Sequence, residues 1–216
     1  AATSFVNDPK RLALLQRFRE REYHNASAVC VGLASGEPSA IEQNSETLRT
    51  MVLPAAHGKR VVLITTAAAW KSDLNPAAEA RNLIEQASSR SMDDLRTEHQ
   101  KWWHEFWSRT YVDLSSDDGQ AQRAQRWRDL HLYHMASSSR GELPPKWNGS
   151  LFVTTGDKRD WGSQYWVWTT EMLYFPLLAA DAADLTDPFF NMYVRQIPNC
   201  EIAARQRWGI AGAYFP

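Results

Sequence analysis

A mainly α-helical chain with a β-rich start is what the sequence predicts. Short β-branched runs precede Trp70, the apolar period turns helical after it, and ten tryptophans occur, several in tight clusters. Rings at this density either thicken a helical core or form platforms on which a ligand stacks.

With 216 residues, 44% hydrophobic and 23% charged, the chain can fill one large or two small packed cores and is too apolar to be disordered. A net charge of −1, balanced along the length, removes the basic field that non-specific nucleic-acid binding requires. No stretch approaches the roughly 18 apolar residues of a membrane span, and the start lacks a charged-then-apolar leader pattern. Neither nucleic acid nor membrane is expected as a partner. Cys30 and Cys200 have no CxxC or Cys/His neighbourhood, so buried thiols are expected, with one long-range disulfide as the alternative.

Up to about Glu22 the leucines at 12, 14 and 15, Phe18 and many arginines fit either a helix or a loop. Residues 28–33, 48–53 and 60–66 are apolar, β-branched strands, with a turn at His57-Gly58. Asn75-Pro76 then caps a helix carrying Ala80, Leu83, Ile84 and Ala87 on one face, which Ser88-Ser89 interrupts. Ser91 and Asp94 form a capping box for a second helix, with Leu95, His99, Trp102 and Phe106 at helical spacing. Trp102, Trp103, Phe106 and Trp107 ring so much of that helix that it suits burial between two domains better than a binding face.

A third helix places Ala124, Trp127, His131 and His134 on one face and stops near Gly141. Residues 141–159 form a long irregular loop, a fourth helix is predicted over 163–183, and a fifth begins at Asp187-Pro188 with Pro198 interrupting it. The apolar, aromatic end at 209–216 predicts a sequence cut inside a domain.

Chemistry concentrates beside the long loop. The rings of Trp161, Tyr165, Trp166 and Trp168 adjoin Lys146, Asn148 and Asp160, a mixture that suits sugars: C–H faces stack on rings while hydroxyls bond to charged and amide groups. Core packing of each ring is the alternative. Glu171 lies in an apolar stretch, where burial would suit it to general-acid work, or else it is a paired helix residue. His99 and His104 lie five apart and His131 and His134 lack a third ligand, so no metal or other cofactor is expected. Two sequons, at Asn25 and Asn148, fit glycosylation acceptors.

Trp103…Phe106-Trp107-Ser108-Arg109, Val112-Asp113-Leu114, Leu132-Tyr133-His134-Met135-Ala136-Ser137-Ser138-Ser139-Arg140-Gly141 with Leu143-Pro144, and Trp161-Gly-Ser-Gln-Tyr165 through Met172-Leu-Tyr174-Phe175-Pro176 to Asp187-Pro188 occur in one order. In that order they resemble the six-hairpin glycosidases, nearest to glycoside hydrolase family 95, the α-L-fucosidase and α-L-galactosidase group. The resemblance spans about residues 94–190. It implies the end of a β-sandwich-like domain over 1–70, a helical linker over 71–110 and the first helices of an (α/α)6 toroid over 111–216. It also implies glycoside hydrolysis by two carboxylates, with the acidic catalytic residues farther along the toroid, and an extracellular or periplasmic location suited to that substrate class.

Where the fucosidase branch carries two asparagines that position water, this chain has Val167 and Thr169 or Trp168 and Thr170, and Leu151-Phe152 replaces its Trp-Asn. Two alternatives follow: a polysaccharide lyase, for which Lys146, Lys158 and Arg159 supply the cations, and a non-catalytic carbohydrate-binding protein. A helical scaffold whose tryptophans are all core is a third.

Overall fold

The computed structural model describes residues 2–20, 23–69, 71–146 and 165–215. It divides into two compact units, Ala1–Lys101 and Trp102–Pro216, and the boundary falls inside one helix.

In the first unit, β1 (Ala2–Val6), β2 (Leu12–Glu20), β3 (Tyr23–Leu33) and β6 (Val62–Ala69) form one antiparallel sheet in the order β1-β2-β3-β6. β4 (Ala40–Gln43) and β5 (Arg49–Val52) pair only with each other. Strand periodicity decides which face is covered, because successive side chains point to opposite sides. Ala13 and Leu15 of β2 and Ala26, Ala28 and Cys30 of β3 are buried on one face, where they pack with Ala77, Ala80 and Ile84 of α1 (Pro76–Ser88). Alanine dominates this seam, and a side chain on Gly32 would meet Ile84 at 3.4 Å, so the helix lies close against the strands. Thr65 Oγ1 donates to the carbonyl of Ala80 at 2.5 Å, a bond from sheet to helix.

Within the first 22 residues, open between helix and loop by pattern, Ala2–Val6 and Leu12–Glu20 are strands. Leu12 and Leu14 share one face of β2 while Ala13 and Leu15 share the other, so apolar residues on both faces hide the period of two. β5 pairs with β4, and β6 joins the four-stranded sheet through β3.

α1 starts as its sequence predicts. Asn75 accepts through Oδ1 from the backbone N–H groups of Ala77 and Ala78, and Pro76 occupies the first helical position, where its missing N–H costs nothing. Asn75→Ala is expected to lower the stability of the first unit by about 1 kcal/mol, measurable by urea unfolding, and Asn75→Asp to retain most of it.

The second unit contains the end of α2 (Met92–Thr110), α3 (Gln120–Ser138), α4 (Val167–Thr170), α5 (Phe175–Ala179) and α6 (Asp187–Trp208). Single 3-10 turns, Glu171–Leu173 and Ala183–Thr186, follow α4 and precede α6. Its core gathers Phe106, Leu132, Met135, Ala136, Tyr174, Leu177, Leu185 and Phe189, with Trp102, Trp103 and Trp107 packed against it. The tryptophans of α2 are thus structural: Trp102 stacks on Phe106 at 5.5 Å and on the guanidinium of Arg140 at 4.0 Å, and Trp103 stacks on Tyr133.

The expected mainly α fold with the start of an (α/α)6 toroid is not what the structure shows. A four-stranded antiparallel sheet with one helix on its face is followed by helices, and no toroid of helical hairpins is evident among the described residues. A hairpin needs two consecutive long helices. Among the described residues α3 is followed by the short pieces α4 and α5, separated by a 3-10 turn and Tyr174, and Pro176 in the first turn of α5 has no N–H to bond back across that break. The helix predicted over 163–183 is therefore broken where it is described.

Two further expectations change. α6 runs through Pro198 rather than stopping there, and ends at Gly209, whose φ of 68° is a left-handed cap. On α3 the buried side carries Leu132, Met135 and Ala136, whereas Trp127 is 67% exposed. Cys30 and Cys200 are both buried free thiols.

Candidate functional site

The residues proposed for sugar contact divide sharply. Trp161, Asn148 and Asp160 lie outside the described residues. Lys146 closes the segment after the buried Pro144 and Pro145 and is itself half-buried. Tyr165, Trp166 and Trp168 enter α4 together, and their environments differ.

Tyr165 is held by its backbone: its carbonyl accepts from the Tyr193 hydroxyl at 2.9 Å, which ties the entry of α4 to α6. Burial pushes the Tyr165 phenol above its usual range. Trp166 is the N-cap residue, and its carbonyl accepts the Thr170 N–H at 2.8 Å and the Thr169 hydroxyl at 3.2 Å. Trp168, one residue into the helix, points outward and is 68% exposed. Ring by ring, Trp168 is the open platform and the other two are partly core.

Glu171 lies three residues after Trp168, in the 3-10 turn that continues α4, and is half-buried. Burial, and after it the Glu171 charge, raise the Tyr193 phenol above its usual range. A stacking ring and a carboxylate one helical turn apart suit a pyranose, whose C–H face and hydroxyls lie at right angles. One carboxylate alone does not form the acid and base pair of glycoside hydrolysis.

The second unit also holds a hydroxyl chain that the sequence did not reveal. Ser139, fully buried at the end of α3, donates to the Leu185 carbonyl at 2.8 Å. Its oxygen lies 3.0 Å from the Tyr174 hydroxyl, so the phenol is left as the donor of that bond. Burial above all lifts the Tyr174 pKa to about 12, and the phenol stays protonated at any physiological pH. Thr170 is also fully buried, and its hydroxyl finds no partner among the described residues. Short polar side chains in helical runs give no period, which is why Ser139 passed as one of three serines in a row.

No family model, curated protein or solved structure matches this chain. Among the described residues no group of three or more His, Cys, Asp or Glu side chains is arranged to hold a metal, and no helix is long and apolar enough to cross a membrane.

His131 supports the turn that carries Glu171. Its Nε2 lies 3.0 Å from the Leu173 carbonyl, an acceptor only, so the ring nitrogen donates. Burial holds the imidazole pKa below its ordinary value of 6.5, against the opposing effect of that bond. The unfolded chain takes up a proton as pH falls through about 6.5 while the folded one resists, so this group makes folding weaken below that pH and has no such effect above it. Thermal unfolding of the second unit is expected to move to lower temperature between about pH 7 and pH 5.5. His131→Gln, measured over the same range, is expected to flatten that part of the curve.

Proposed function

We propose that this chain is part of a carbohydrate-active enzyme that hydrolyses glycosidic bonds in a polysaccharide or glycan. The observation that carries the reading is the open ring of Trp168 one turn from Glu171, at the place where the sequence motifs resemble those of the glycosidases. The sugar stacks on Trp168, Tyr165 and Trp166 frame that platform, and Lys146, Asn148 and Asp160 supply hydrogen bonds. Hydrolysis proceeds by carboxylate acid and base chemistry, which needs a second carboxylate besides any single residue of this surface. Such a substrate class fits an extracellular or periplasmic protein.

A second reading, a non-catalytic carbohydrate-binding protein, is favoured by one observation. Thr170 is fully buried, and in one of the two placements that the resemblance allows it stands where a water-orienting asparagine would be. A side chain sealed from solvent does not deliver a water to a substrate.

Incubation of the full-length protein with aryl α- and β-glycosides and plant polysaccharides, with free sugar and unsaturated products read together, separates the readings. Free sugar is the expected result and names the bond. Unsaturated product would overturn hydrolysis in favour of a lyase, and binding without release would leave the non-catalytic reading.

A further inference from the structure

A polar hollow of about 410 Å³ lies in the first unit, far in sequence from the tryptophans. Asn7, Asp8 and Pro9, in the turn between β1 and β2, line one side, and Ile41, Gln43 and Arg49 of the β4–β5 pair line the other. Gln43 and Arg49 are directly opposed across that pair, so both side chains reach the same face.

Arg49 is held from three directions. Its guanidinium stacks over the Phe5 ring at 4.9 Å, Nη1 donates to the Val6 carbonyl at 3.4 Å, and Nη2 donates to the Gln43 Oε1 at 3.2 Å. A guanidinium has five N–H donors, and these bonds use only two. The buried Nε has no acceptor among the described residues, and no acidic partner for Arg49 is found there. The two outer nitrogens of Arg49 each keep one N–H unused, so the half-buried fork is set for an acceptor that the described residues do not supply.

Asp8 does not supply it. Only 9% exposed, its carboxylate accepts the N–H groups of Lys10 and Arg11 at 2.9 and 3.1 Å, with the guanidiniums of Arg81 at 3.6 Å and Arg11 at 4.0 Å beside it. Its charge is thus offset on its own side of the turn. Lys10 is likewise engaged, by Glu37. The uncompensated charge at the hollow is that of Arg49, flanked by the two amides of Asn7 and Gln43.

We propose that this hollow binds a small hydroxylated carboxylate, with the carboxylate on the Arg49 fork and the hydroxyls on Asn7 and Gln43. A planar fork pre-oriented by Phe5 favours a carboxylate over a neutral polyol, because a charge-assisted pair is roughly twice as strong as a neutral hydrogen bond. The site is separate from the tryptophan surface, and its success or failure leaves the carbohydrate reading as it stands.

The test is a titration of the isotope-labelled chain with sodium D-glucuronate, and with D-glucose in parallel, following the Arg49 side-chain N–H resonances and those of Asn7 and Gln43. Saturable shifts with glucuronate, at least tenfold weaker with glucose and weakened at least tenfold in Arg49→Lys, are the expected result. Absence of a glucuronate response, equal response to glucose, or unchanged affinity in a folded Arg49→Lys would overturn the proposal. If that variant does not fold, the comparison of the two sugars on the unaltered chain still decides.

Discussion

Phe106→Ala is expected to cost the second unit about 3–5 kcal/mol, close to the whole stability of a small domain. The side chain is 2% exposed and sits among three indole rings, with centroids 5.5 Å from Trp102, 5.8 Å from Trp103 and 5.2 Å from Trp107. Large rigid rings cannot collapse into the space a phenyl group leaves, so the cavity persists and its cost adds to the lost transfer energy. Phe106→Leu refills part of that space and is expected to cost less than half as much. Trp127→Ala is the control: a ring 67% exposed on α3 should change stability by no more than about 0.5 kcal/mol. Chemical unfolding followed by tryptophan fluorescence and far-ultraviolet dichroism measures all three.

Ser139→Ala is expected to cost about 2–4 kcal/mol although it removes one oxygen atom. That oxygen donates to the Leu185 carbonyl and receives the Tyr174 hydroxyl, joining the end of α3 to the starts of α5 and α6. Alanine would leave two buried polar groups without partners, and each carries a desolvation penalty of about 1–3 kcal/mol. Tyr174→Phe removes only the terminal donor and is expected to cost about 1 kcal/mol, because Ser139 keeps its bond to Leu185. In a double-mutant cycle the pair should be strongly non-additive, since the second change removes a group the first had already orphaned.

The parts of the fold legible in the sequence were those with one covered face. α1 announced itself through Asn75-Pro76 and the spacing of Ala80 and Ile84, and β6 through its alternation, with Leu63, Thr65, Ala67 and Ala69 turned inward. β2 was not legible because both its faces carry leucines, so its period of two was masked. The helix predicted across 163–183 is broken at 171–174, just before Pro176, a breaker that the aromatic run around it concealed. Pro198 misled in the opposite sense: α6 tolerates it because the helix is long enough on both sides to keep its remaining bonds.

The site was legible in residue type rather than in exposure. Composition marks Tyr165, Trp166 and Trp168 equally, yet only Trp168 is open, because Tyr165 and Trp166 are consumed by the entry and capping of α4. The toroid expected from the motifs is not evident among the described residues, because local runs of similar residues do not fix the arrangement of helices. His131, Ser139 and Tyr174 make their contacts with partners 35 to 46 residues away, a separation that carries no local pattern.

Isothermal titration of the chain with a panel of neutral and acidic oligosaccharides, repeated with Trp168→Ala, tests the central claim most directly. The account predicts saturable binding of at least one saccharide and a loss of about tenfold in affinity on removing the ring, the equivalent of about 1.4 kcal/mol of stacking. No saccharide binding at all, or binding undiminished in a folded Trp168→Ala, would contradict it.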